Sequence, residues 1–125
     1  MLLFKKRFLP AILAGSKTQT VRLWQHRRMK AGQRSYIPGA GYICVLAVDP
    51  INLADLDQQD AAADGFPSAD ALRREIANLY PAELAAGYQA YRVRFRLCTE
   101  EETAQALADG ERRKAARGAA ASGGS

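Results

Sequence analysis

The sequence predicts an α+β fold: a small mixed β-barrel with short flanking helices. Three observations carry this. Tyr42 to Val48 (Tyr-Ile-Cys-Val-Leu-Ala-Val) is the strongest strand signal and is apolar on both faces, which places it centrally in a sheet. Tyr91 to Leu97 alternates apolar and arginine residues with period two. Short Gly- and Pro-rich turns, rather than crossover helices, separate the early strands, which argues against a parallel sheet.

In chain order, residues 8–14 read as a short helix. Pro10 suits a first turn and Gly15 suits the position just past the last. Phe8, Ile12 and Leu13 are expected to face the core. Thr18 to Trp24 alternates as a strand, with Gln19, Val21 and Leu23 on one face and Thr18, Thr20, Arg22 and Trp24 on the other. A basic loop over 25–33 closes on Lys30-Ala31-Gly32-Gln33. Arg34 to Ile37 is a short strand, and Pro38-Gly39-Ala40-Gly41 a turn. Asp57 can cap a helix running to Asp64-Gly65, and Ser68 can cap a longer one over 69–79. In the latter, Ala69, Leu72, Ile76 and Leu79 recur at helical spacing, and Tyr80-Pro81 ends it. In the last strand the apolar residues point inward, and Arg92, Arg94 and Arg96 stand outward as a solvated face.

The chain is expected to form one domain over 1–98, followed by a charged, Ala-rich tail over 99–125. The tail opens on Glu100, Glu101 and Glu102 and closes on Arg112, Arg113, Lys114 and Arg117, an order that suits a helix dipole. Leu107 is its only large apolar residue, so helix and disorder both remain open, and 118–125 reads as flexible. At 125 residues the chain suits one modest core, and no apolar run approaches membrane-spanning length. The N-terminal charges follow the apolar residues, the reverse of a signal peptide, so a cytoplasmic, monomeric protein is expected. Cys44 and Cys98 then read as reduced, structural thiols.

The net charge is +5, and the basic excess lies in the body: residues 1–98 carry fourteen basic and eight acidic side chains. The first acid is Asp49, after nine lysines and arginines. Within that acid-free stretch, Gly15-Ser16-Lys17-Thr18-Gln19-Thr20-Val21-Arg22 sets a lysine, hydroxyls and an arginine within one turn and strand. An unpaired lysine there is either a solvated turn charge or a group aimed at a polar or anionic ligand. His26 has no Cys or acid at ligand spacing, so it offers no metal site, and nothing in the sequence calls for a cofactor.

This stretch resembles the Gly-x-Lys-x-x-Thr-x-Arg signature of ASCH domains, small β-barrels of the PUA-like superfamily. The resemblance extends through Lys30-Ala31-Gly32-Gln33, Gly41 to Cys44, Leu56 to Gly65, Leu79-Tyr80-Pro81 and Tyr91 to Leu97, covering nearly all of residues 4–97. It is similar in layout to the small bacterial N(4)-acetylcytidine amidohydrolases. That resemblance implies hydrolysis of the exocyclic acyl amide of acylated cytidine by a Lys, Thr and Glu set. The lysine falls on Lys17 and the threonine on Thr20. The carboxylate falls on Asp64, where this chain has Asp and the enzymes have Glu.

The implied roles are Thr20 as nucleophile, Lys17 as proton acceptor and Asp64 as proton donor. A hydroxyl needs an adjacent base. A lysine serves only when burial or nearby cations bring it down from ~10.4, and Arg22 is the candidate cation. An acid needs the opposite shift, which an apolar wall supplies. Arg22, Trp24, Tyr42 and Phe66 are the candidate substrate contacts, the aromatic three as stacking surfaces for a pyrimidine. The competing reading is an RNA-binding PUA-like module, or a ribonuclease, with the basic first 48 residues meeting phosphate. The discriminator is whether Lys17, Thr20 and Asp64 meet in a closed pocket or line an open groove.

Overall fold

The computed structural model describes residues 2–123, with side chains described for 2–117. A 3-10 turn at Lys6–Phe8 leads into α1 (Leu9–Leu13). Strands β1 (Gln19–Trp24), β2 (Arg34–Ile37) and β3 (Gly41–Ile51) follow. Helices α2 (Gln58–Asp64), α3 (Ala69–Leu79) and α4 (Pro81–Ala85) precede β4 (Gln89–Leu97), and α5 (Glu100–Gly123) closes the described chain. The four strands form one antiparallel sheet in the order β1-β4-β3-β2, curled into a half barrel. The α+β class read from the sequence stands.

β3 is central, as its two apolar faces predict, pairing with β2 on one side and β4 on the other. A bulge between Val45 and Ala47 shifts its register against β4 and turns Leu46 out to solvent. Bulges bend and twist a strand, and this one helps to curl the sheet. Pro50 is tolerated because β2 pairs only as far along β3 as Cys44, so no ladder bond is lost on that edge.

The sheet buries apolar residues on both faces. One cluster gathers Ile12, Trp24, Ile37, Ile43, Val45, Val93 and Phe95. The other packs Val21 and Leu23 of β1 against Leu72 and Ile76 of α3. Burying a side chain such as Phe95 contributes about 1.5–3 kcal/mol, so the two clusters together hold the sheet between α1 and α3.

Several local expectations shift. Leu13 and Leu79 are exposed rather than core-facing, because α1 and α3 end there and present their last turns to solvent. Tyr80-Pro81 ends α3 but also starts α4, with Pro81 in the first turn where its missing N–H costs nothing. Arg92 is half-buried rather than outward, because Asp60 of α2 meets it at 3.2 Å. α5 takes the helical alternative for the tail: Glu102 pairs with Arg96, and Ala106 is buried. The flexible segment expected over 118–125 falls on residues without described side chains, and 124–125 lie outside the described residues.

Candidate active site

Lys17 is placed by backbone geometry. Gly15 adopts φ 79°, which a glycine takes without strain, and turns the chain out of α1. The amides of Ser16 and Lys17 both donate to the Ala11 carbonyl, at 2.9 and 3.1 Å. Thr18 then spans two elements: its amide donates to Ala63 of α2 and its carbonyl accepts from Phe95 of β4, each at 2.9 Å. Those two bonds clamp the turn against the C-terminal end of α2 and set the Lys17 side chain beside Asp64.

Asp64 is placed by two helix ends. Asp57 caps α2, accepting from the Asp60 amide at 2.9 Å while the Asp60 carboxylate accepts from the Asp57 amide, a reciprocal capping box. Gly65, at φ 90°, stops the helix directly after Asp64. A carboxylate in the last turn of a helix meets the negative end of its dipole. The Lys17 ammonium compensates, donating to both Asp64 Oδ1 and the Asp64 backbone carbonyl.

The pair is almost wholly removed from water: Lys17 and Asp64 are each 3% exposed. Burial pushes the Lys17 ammonium below its usual range, and the attraction of Asp64 only partly offsets this. Burial likewise raises the Asp64 carboxyl above the usual carboxylate range against the pull of Lys17. Asp64 Oδ2 is buried with no hydrogen-bond partner among the described residues. An orphaned buried carboxylate oxygen is costly and calls for a donor.

Thr20 lies in the same cavity, 5% exposed, and its Oγ1 accepts from Arg22 Nε at 3.1 Å. Arg22 is held in turn by the Leu3 carbonyl at 2.7 Å and stands over the Phe4 ring. The cavity measures about 140 Å³ and its walls are mostly apolar: Phe4, Phe8, Phe66, Leu72 and Ile76. The Lys17 ammonium stands 4.5 Å from the Phe8 ring centroid. The structure therefore brings together Lys17, Thr20, Asp64, Arg22 and Phe66 in one cavity that is partly open to solvent.

Trp24 and Tyr42 do not join them. Trp24 shares a strand face with Thr20, but four residues of strand carry it ~13 Å along, into the core against Tyr91 at 5.4 Å. Tyr42 lies two strands away from β1, across β4, and packs on Tyr36 at 5.3 Å. Phe4, Phe8 and Glu75 were not singled out as site residues from the sequence, yet all three line the cavity. Glu75 accepts from Lys5 at 2.8 Å and pairs with Arg7 at 3.0 Å, tying the N-terminal segment to α3. Their only sequence signal is the apolar and basic run from Leu2 to Phe8, which does not say what it covers. Among the described residues, the one group of three metal-ligating side chains lies elsewhere, at Cys44, Cys98 and Glu102.

No family model matches the chain. It is 37% identical over 84 residues to an N(4)-acetylcytidine amidohydrolase of Cronobacter sakazakii, covering 62% of this chain and 80% of that protein. It is 39% identical over 84 residues to the protein of the same name from Edwardsiella ictaluri, covering 62% and 78%. Among solved structures, the hypothetical protein PH0355 matches with a TM-score of 0.64 at 17% identity, covering 75% of this chain and 94% of that one. That likeness supports the fold. The sequence likeness goes further: the chain belongs to the family of the N(4)-acetylcytidine amidohydrolases.

Proposed function

We propose that this chain hydrolyses the exocyclic amide of N(4)-acetylcytidine, with Thr20 as nucleophile, Lys17 as proton acceptor and Asp64 as proton donor. The observation that carries the reading is the buried Lys17–Asp64 pair, whose two partners are shifted in opposite directions inside the cavity that Thr20 lines. The ion pair and the neutral pair hold the same number of protons and interconvert by transfer along one hydrogen bond. Burial favours the neutral form, which leaves a free amine to accept a proton and a carboxylic acid to donate one.

In the first half-reaction Thr20 Oγ1 attacks the amide carbonyl and its proton passes to Lys17. The C–N bond breaks as Asp64 protonates the leaving amine, releasing cytidine and leaving an acylated Thr20 with Lys17 and Asp64 both charged. Proton return from Lys17 to Asp64 restores the neutral pair. Water then attacks the ester, Lys17 takes its proton, and Asp64 protonates the departing Oγ1, releasing acetic acid. Arg22, already donating to Oγ1, favours the negative charge that develops on that oxygen. A cavity of about 140 Å³ suits the acyl amide end of the substrate rather than a whole nucleoside, since complete ligand sites span ~300–1,000 Å³. We assign this unit to residues 1–98, with α5 as an appended helix.

The test is incubation with N(4)-acetylcytidine and chromatographic detection of cytidine. The wild-type protein releases it, while Lys17→Ala and Thr20→Ala stay folded and do not. Full activity in either variant removes the mechanism.

A further inference from the structure

Cys44 and Cys98 lie 54 positions apart in sequence, and the fold brings their sulfurs to 2.7 Å. Cys44 sits on β3 opposite Arg96 of β4, and the Cys98 amide continues that ladder by donating to the Tyr42 carbonyl at 2.9 Å. The two thiols thus stand diagonally on neighbouring strands, where β4 leaves the sheet for α5. Both are free thiols. Their separation is well inside the ~3.5–4.0 Å at which unbonded carbon atoms rest, and within an ångström of the ~2.05 Å of a disulfide.

We propose that Cys44 and Cys98 are a redox modification site that closes to an intramolecular disulfide on reaction with a small-molecule disulfide. The step balances as thiol–disulfide exchange. The Cys98 thiolate attacks one sulfur of the reagent, forming a mixed disulfide and expelling one small thiol. Cys44 loses its proton to solvent and attacks the Cys98 sulfur, expelling the second small thiol. Two protein thiols are oxidised and one reagent disulfide is reduced. The order follows from exposure: Cys98 is half-buried and reachable, whereas Cys44 is buried, with its thiol pushed up to about 12 by burial and by hydrogen bonds with Cys98 and Glu102. Cys44 therefore acts second, once a sulfur is held against it.

The same cluster offers zinc three donors, with Glu102 Oε2 at 3.3 Å from the Cys44 sulfur. The arrangement favours the disulfide. Two sulfurs on one zinc, each at ~2.3 Å in a tetrahedral site, stand farther apart than these do. Both Glu102 oxygens already accept from Arg96, at 2.7 and 2.9 Å, so a cation there would face a guanidinium.

The experiment titrates the full chain with oxidised glutathione, then applies alkylation, intact mass and peptide mapping, with Cys44→Ser and Cys98→Ser alongside. The expected result is a loss of two hydrogens in mass, one cross-link between the peptides of Cys44 and Cys98, and a Tm several degrees higher for the oxidised wild type. Cys44→Ser traps a stable mixed disulfide on Cys98, and Cys98→Ser does not react. Two alkylatable thiols after treatment, a persistent mixed disulfide in the wild type, or retention of one zinc that protects both thiols would each overturn the proposal. None of these readouts depends on the amidohydrolase activity.

Discussion

Asp60 and Asp64 stand one turn apart on α2, both buried, and the protein treats them oppositely. Burial pushes Asp60 up, but hydrogen bonds from Gln19, from the Asp57 backbone and from Arg92 outweigh it, and its carboxyl falls below the ordinary range. Asp64 meets a single side chain, Lys17, keeps one oxygen without a partner among the described residues, and rises above that range. The same residue type on the same helix therefore yields a structural anchor and the proposed proton donor. What separates them is how fully each carboxylate is satisfied. Saturation fixes Asp60 as an anion that fastens α2 to β1 and β4. Under-satisfaction leaves Asp64 able to gain and lose a proton.

The largest effect expected from breaking this contrast is catalytic. Lys17→Ala removes the one cation bonded to Asp64 among the described residues, and with it the proposed base. The kcat therefore falls by about 10²–10⁴-fold, measured as cytidine release per folded protein, and Tm falls as well because two buried Asp64 oxygens lose their donor. Next comes the pH profile. The pair works at one total proton count, so activity against pH is a bell whose limbs belong to the pair. Its acid limb lies above the ordinary Asp value of 3.8, and its alkaline limb lies below the ordinary Lys value of 10.5. A profile flat across both shifted limbs would contradict the assignment.

Stability reports the other half. Asp60→Ala strands Arg92 and Gln19 and costs about 1.5–3 kcal/mol by denaturant unfolding, with turnover nearly kept. The linkage signs also differ. The Asp60 contribution is present above pH 3.8 and fades as pH falls through its lowered folded value. The Asp64 contribution is present below pH 3.8 and is lost as pH rises through its raised folded value. The smallest effect is Asp57→Ala, which removes the cap of α2 at about 1 kcal/mol, read as a lower Tm with both carboxylates still in place.

Local patterns were legible where the physics is local. Asp57 and Ser68 announce the starts of α2 and α3, Gly65 the end of α2, and the two-faced apolar run of β3 its central place. Lys17 stands out because it follows a glycine turn in a stretch without acids, whereas Thr20 and Asp64 were reached through resemblance to known enzymes. Tertiary arrangement hid the rest. Nothing in Leu2 to Phe8 says that it walls the cavity, and no alternation pattern says that Arg92 turns back to Asp60. Trp24 and Tyr42 were misplaced because an aromatic residue carries no record of how far along or across a sheet it sits from a given threonine.

The most direct measurement compares kcat/KM for N(4)-acetylcytidine in Asp64→Asn and Asp60→Asn, each normalised to the folded fraction. The account predicts a loss of about 10²–10⁴-fold for Asp64→Asn, with Asp60→Asn staying within about tenfold of wild type. Equal losses in the two variants, or an active Asp64→Asn, would contradict it.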